Sequence, residues 1–128
     1  MGQQYLIDSN AVIDYLGGKF SARGMEFMKN VVNEIPKISV ITKIEVLGYN
    51  ASRDSYQVLT DFVDASILLE LSDDVVLRTI SLRKTNKIKT PDAIIASTAL
   101  VFDLTLITSN TFDFKNIKGL KISNPKEL

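Results

Sequence analysis

Three acids stand where a carboxylate could do chemistry: Asp8, Glu45 and Asp92. Asp8 closes the apolar run Tyr5-Leu6-Ile7, Glu45 sits among Ile44, Val46 and Leu47, and Asp92 follows Pro91 at the head of a long apolar stretch. The chain has no histidine and no cysteine. That removes Ser-His-Asp triads, imidazole bases, thiol nucleophiles, disulfides and zinc fingers. Hydrolysis must then rest on carboxylates, Lys, Tyr, hydroxyls or a hard cation. Carboxylates that converge repel one another unless a cation holds them, and Mg²⁺ or Mn²⁺ suits such oxygen donors. A metal of this kind acidifies its bound water and replaces the missing histidine base.

Each acid also has an ordinary structural explanation. Asp8 suits a helix N-cap, Asp92 complements a helix dipole, and Glu45 could face solvent. What separates the two readings is whether the elements bring the acids together.

Those elements alternate. Tyr5-Leu6-Ile7 reads as a strand, followed by a helix through Ala11, Val12, Ile13, Tyr15 and Leu16 until Gly17-Gly18 stops it. Met25, Met28 and Val32 recur at helical spacing down to Pro36. Leu16, Phe20, Met25, Phe27 and Met28 place apolar groups on more than one face, as a core edge or a partner groove would. Ile38-Ser39-Val40-Ile41 predicts a second strand, leading to a short, core-directed helix carrying Glu45. Tyr56, Leu59 and Val63 mark another helix, and residues 67–71 a third strand. Ser72 or Asp73 caps a helix carrying Val76, Leu77 and Ile80. Thr90 as N-cap with Pro91 behind it opens a helix over residues 92–102, apolar nearly all round and therefore central. Leu104-Thr105-Leu106-Ile107 and Leu120-Lys121-Ile122 supply the last strands. Such alternation implies a parallel sheet covered by helices on both faces, with ligands beyond the carboxyl ends of its strands.

The 128 residues suit one domain, 1–128, and 45% hydrophobic with 23% charged residues excludes a disordered chain. No apolar run is long enough for a membrane span, and Met1-Gly2-Gln3-Gln4 lacks the basic start of a secretory signal. Net charge is zero, so no global field marks a nucleic-acid binder. Charges are nevertheless segregated. Asp54, Asp61, Asp64, Glu70, Asp73 and Asp74 precede the basic block Arg83, Lys84, Lys87 and Lys89, a pattern helix dipoles alone can explain. That block leads directly to Asp92 and is placed to meet phosphates. Trp is absent and the Phe and Tyr residues read as mostly structural, so no aromatic ladder for stacking bases is expected.

Asp8-Ser9-Asn10 after a strand, Ser39-Val40-Ile41-Thr42-Lys43-Ile44-Glu45, Thr90-Pro91-Asp92-Ala93-Ile94-Ile95-Ala96, and the segment from Leu106 to Phe114 occur in that order. Together they resemble PIN-domain proteins, above all the VapC-type toxins of toxin–antitoxin pairs, over nearly the whole chain. The resemblance implies a three-layer α/β/α domain with a central parallel sheet of four to five strands. It further implies a cytoplasmic, Mg²⁺- or Mn²⁺-dependent endoribonuclease. Asp8 and Asp92 would hold the ion, and Glu45 would complete the acidic cluster directly or through water. Ser9, Asn10, Thr108 and Asn110 would position water or substrate, and Arg83, Lys84, Lys87 and Lys89 would touch the RNA backbone. The family often carries a fourth acid where this chain has Asn110; Asp113, three residues on, could replace it or merely cap a turn. Implied partners are an RNA substrate, a cognate antitoxin and a second copy of the chain, with no membrane. Two other readings stay open: a PIN fold without activity serving as an interaction module, and a receiver-like phosphoacceptor domain. The receiver reading leaves Glu45 and Asp92 unexplained.

Overall fold

The structure, a computed structural model, describes residues 3–128. Met1 and Gly2, half of the segment read above for a secretory signal, lie outside the described residues. In chain order the elements are β1 (Tyr5–Ile7), α1 (Ser9–Leu16), α2 (Ala22–Asn33), β2 (Lys37–Ser39), α3 (Val40–Leu47) and α4 (Arg53–Ala65). β3 (Ile67–Leu69), α5 (Asp73–Thr85), α6 (Thr90–Val101), β4 (Thr105–Ile107), α7 (Thr111–Phe114) and β5 (Ile122–Ser123) follow. A 3₁₀ turn over Pro125–Glu127 ends the chain.

The strands form one parallel sheet in the order β3-β2-β1-β4-β5. Successive strand residues point to opposite faces, and this alternation divides the core in two. Ile7 and Ile107 face one way and pack with Ala11, Val12, Met28, Val46 and Phe62 from α1, α2, α3 and α4. Leu6 and Leu106 face the other way, against Leu82, Ile95, Ala99 and Phe114 from α5, α6 and α7. The result is the three-layer α/β/α sandwich the sequence predicts. α6 is its central helix: every residue from Ala93 to Ala99 is buried. Leu16, Phe20, Met25, Phe27 and Met28 all join the first core cluster, so their apolar spread is that of a core edge.

Serine hydroxyls set the helix starts. Ser21, Ser39, Ser52 and Ser72 each accept the backbone N–H three residues on. This chemistry corrects the expected second strand. Ser39 caps α3 at once, so β2 stops there, and Val40 and Ile41 are helical despite their β-branched side chains. β3, β4 and β5 are likewise shorter or shifted relative to the apolar runs that announce them. α6 is capped differently from expectation. Lys89 is its N-cap, with no side-chain hydrogen bond, and Thr90 lies inside the first turn. The Thr90 hydroxyl instead accepts from Arg83 Nη1 at 2.7 Å, which ties α5 to the start of α6.

Two helices face other than expected. α5 turns Val75, Thr79 and Leu82 inward, while Val76, Leu77 and Ile80 are exposed. Spacings of four and three keep the buried trio on one stripe, so a neighbouring residue cannot share it. α3 buries Thr42 and Val46 but exposes Ile44, so the helix around Glu45 is less committed to the core than its composition suggests.

Candidate functional site

In the strand order β3-β2-β1-β4-β5, the chain's direction across the sheet reverses between β1 and β4, where open α/β sheets form a crevice at their carboxyl ends. Asp8 follows β1 and Thr108 follows β4 at this point, hydrogen-bonded across it. Asp8 is only 5% exposed. Its Oδ1 accepts the Ser9 N–H at 2.8 Å, and its Oδ2 accepts the Thr108 hydroxyl at 2.8 Å and Asn10 Nδ2 at 3.2 Å. Asp8 therefore does cap α1, but the cap is part of a larger network.

That network locks two turns together. Asn10 donates to Thr108 Oγ1 at 3.1 Å while its Oδ1 accepts both the N–H and the hydroxyl of Ser109 at 3.1 Å. The Asn110 N–H also donates to Thr108 Oγ1, at 3.0 Å. Thr108 is completely buried. Its hydroxyl oxygen thus has two incoming donors, and its single hydrogen goes to Asp8.

The other acids gather around this point. Ser9 Oγ donates to Glu45 Oε1 at 2.5 Å, which draws an exposed side chain toward Asp8. Burial pushes the Asp8 carboxyl above its ordinary value; the Thr108 and Ser9 hydrogen bonds oppose this, and the charges of Glu45 and Asp92 reinforce it. Asp92, half-buried on the first turn of α6, is also raised, by burial first and then by Asp113 and Glu45, with Lys89 opposing. Asp113 is exposed on α7, where its Oδ2 accepts Asn110 Nδ2 at 2.7 Å. Asn110 therefore faces Asp113, and Asp113 is the acid that faces Asp92.

Among the described residues, none of these four acids is in an ion pair. Among the described residues the salt bridges are Lys121–Asp103 and Lys126–Asp14, neither of which includes a member of the cluster. No group of three or more acidic side chains among the described residues converges closely enough to hold a metal ion as it stands. Asp8, Glu45 and Asp92 thus share a field without sharing a common ligand distance. The donor chemistry nevertheless fits a hard divalent cation: it offers only oxygens, and its negative charge meets no ion pair among the described residues.

A cleft of about 440 Å³ adjoins the acids, between the α5–α6 loop and α7. Asp92 and Asp113 line it with Lys87, Lys89, Lys115 and Phe112. Of the expected backbone contacts, Lys87 and Lys89 lie here. Arg83 and Lys84 are not in its lining, and the Arg83 guanidinium is engaged with Ile88 O and Thr90 Oγ1. Lys115 and Phe112 escaped the sequence reading. Phe112 is 72% exposed, whereas Phe114 is 1% exposed. Phe112 is thus an exception to the expectation that the Phe and Tyr residues are mostly structural. The signal was present: residues two apart on a helical turn point nearly opposite ways, so Phe112 and Phe114 could not both enter the core.

The PIN-domain family model matches residues 5–120. The chain belongs to the PIN-domain family. Its membership excludes the receiver-like reading and accords with the resemblance read from the motifs. No curated protein sequence matches the chain significantly. Among solved structures, a toxin–antitoxin complex from Klebsiella pneumoniae contains a chain 32% identical, with a TM-score of 0.74, over 95% of this chain and 98% of that one. VapBC-1 from nontypeable Haemophilus influenzae is 21% identical with a TM-score of 0.78, covering 96% of this chain and 98% of that one. DNA-bound VapBC from Salmonella typhimurium is 21% identical with a TM-score of 0.76, covering 97% and 99%. The latter two likenesses establish the shared PIN fold. No helix among the described residues is long and apolar enough to cross a membrane.

Proposed function

We propose that this PIN domain is a divalent-metal-dependent endoribonuclease, acting in the cytoplasm as the VapC-type toxin of a toxin–antitoxin pair. The observation that carries the reading is the unpaired acidic cluster. Asp8 is buried at the sheet's switch point, under the fields of Glu45 and Asp92, and no base among the described residues forms an ion pair with any of them. Such an arrangement is costly for a protein that has no use for it. The 32% identity to a chain of a toxin–antitoxin complex supports the biological setting. A cognate antitoxin and a second copy of the chain are the partners this reading assigns.

Asp8 and Asp92 would hold Mg²⁺ or Mn²⁺, with Glu45 completing the set directly or through water and Asp113 as the fourth acid. The bound ion would supply Lewis acidity, for activating water against a phosphodiester and for stabilising the departing oxygen. The chain's own groups prepare the site. Ser9 N–H and Thr108 hold the Asp8 carboxylate in one orientation, and Ser9 Oγ turns Glu45 inward. Asn10 couples the β1–α1 turn to the turn after β4, which fixes Asp8 relative to α7. Asn110 steadies Asp113. Lys87, Lys89 and Lys115 in the cleft meet phosphates, with Arg83 and Lys84 contributing field from outside it.

The test is cleavage of a mixed cellular RNA pool by protein freed of antitoxin, with Mn²⁺, with EDTA, and with Asp92→Asn. The reading expects cleavage that needs both the metal and Asp92. Cleavage that persists in EDTA or in the variant would refute this mechanism. An inert protein under every condition would favour the PIN fold as an interaction module.

A further inference from the structure

We propose that the cleft beside the carboxylates receives a single unpaired nucleotide of the RNA, its base stacking on the ring of Phe112 and its phosphates meeting Lys87, Lys89 and Lys115. The inference rests on the ribonuclease reading for its location and adds the residue that would hold the substrate's base: Phe112, whose ring an unpaired base can reach and a base within a duplex cannot.

Three observations carry it. Phe112 is 72% exposed, the highest value among the large apolar side chains described, and it sits on a turn anchored by the buried Phe114. An exposed ring on an anchored turn presents a π face at little further entropic cost. Lys115 Nζ lies 4.1 Å from the Phe112 ring centroid, so a basic group of the same segment covers one face of the ring and is held beside any base that stacks there. A base arriving there exchanges with the ammonium, which is then free to pair with the nucleotide's own phosphate.

The third observation is the composition of the walls. The cleft is about 440 Å³, within the range of small-ligand pockets, and combines the aromatic ring with Lys87, Lys89, Lys115 and the exposed amide of Asn116. Asn116 makes no side-chain hydrogen bond among the described residues and can meet a base edge. Asp92 and Asp113 line the same cleft, so a nucleotide held on Phe112 lies beside the reacting centre. Bases in an A-form duplex are stacked on their neighbours and cannot reach a ring, whereas unpaired bases can. The zero net charge agrees, because affinity then depends on this local stack more than on a long basic track.

The chain contains no Trp, so Phe112→Trp creates a single indole reporter at the site. We would titrate this variant, in an Asp92→Asn background that blocks turnover, with a short single-stranded RNA and with the same sequence as a duplex. Saturable quenching by the single strand, and little by the duplex, is expected. In parallel, Phe112→Ala and Phe112→Leu should weaken single-strand binding by roughly 5- to 100-fold, and Phe112→Tyr should retain it. Leu keeps the apolar bulk without the π face, and unchanged thermal midpoints would exclude misfolding of so exposed a site. An indole that stays silent while RNA binds, or a Leu variant that binds as wild type does, overturns the stacking site. If wild-type protein still cleaves RNA with Mn²⁺ in that case, the ribonuclease reading survives alone. If RNA neither binds nor is cleaved, both fall.

Discussion

Exchanging Asp8 for asparagine should destabilise the metal-free protein, while the same exchange at Asp92 should stabilise it. The two substitutions remove equal charge with almost no change of shape, so the difference isolates hydrogen bonding from repulsion. At Asp8 every hydrogen-bond partner is a donor: the Ser9 N–H on Oδ1, and the Thr108 hydroxyl and Asn10 Nδ2 on Oδ2. Thr108 cannot reverse its role, because Asn10 Nδ2 and the Asn110 N–H already occupy its lone pairs. Asn10 cannot flip either, since its Oδ1 holds the N–H and hydroxyl of Ser109. Whichever way the new amide is turned, its NH₂ meets another donor. Losing a hydrogen bond to a charged group costs about 1.5–3 kcal/mol. Relief from burying the charge and from the Glu45 and Asp92 charges, which raise the Asp8 pKa, offsets part of this. A net loss of about 1–2 kcal/mol follows, or roughly 3–8 °C in Tm for a domain of this size.

Among the described residues, Asp92 has no comparable network. Asp113 and Glu45 push its carboxyl up, and solvent screens these charges at a half-buried site. Removing the charge should therefore gain less than about 1 kcal/mol, or about 1–3 °C. Scanning calorimetry of both variants and wild type in EDTA makes the comparison. Equal shifts of the same sign would refute the donor-cage argument, and an unstable Asp92→Asn would show that acid to be structural.

Metal should reverse the ranking of wild type and Asp92→Asn. Saturating Mn²⁺ is expected to raise the wild-type Tm by several degrees, with little effect on Asp92→Asn, by the mass-action stabilisation of a bound ion; equal shifts in both would place the ion elsewhere. The advantage of Asp92→Asn in EDTA should also depend on pH. Because the folded-state pKa of Asp92 is raised above 3.8, the wild-type penalty is absent below that value and develops as pH rises through the raised one. Denaturation midpoints from about pH 4 to pH 8 should thus diverge toward neutrality, and convergence there would sink the repulsion argument. Thr108→Val keeps the shape but leaves the Asn110 N–H without its hydroxyl acceptor and removes a donor to Asp8; a loss of about 2–3 kcal/mol in chemical denaturation is expected. Lys87→Ala and Lys89→Ala should each reduce the slope of log affinity against log salt for single-stranded RNA by roughly 0.7, and an unchanged slope would remove that lysine from the phosphate path.

Much of the molecule is written locally in the chain. The strand-to-helix alternation, the serine caps, the stop at Gly17-Gly18 and the all-round apolar α6 depend on neighbours a few residues away, and periodicity reports them. The absence of histidine and cysteine narrows the chemistry without any structure. Asp8, Glu45 and Asp92 could be singled out for the same reason: each is an acid beside an apolar segment, and local composition makes that anomalous. Tertiary structure decided what these residues touch. Thr108 reaches Asp8 across a sequence separation of 100, because β1 and β4 pair in the middle of the sheet. No pattern within one segment encodes that encounter or the resulting cage of donors. The same limit explains the misplaced faces. Val76, Leu77 and Ile80 look as buried as Val75 and Leu82 until α6 selects which stripe of α5 it covers. It applies at Phe112 too, whose exposure follows from Phe114 taking the inward position against β4 and α6. Composition says what a side chain can do; the packing of segments distant in sequence decides which ones are free to do it.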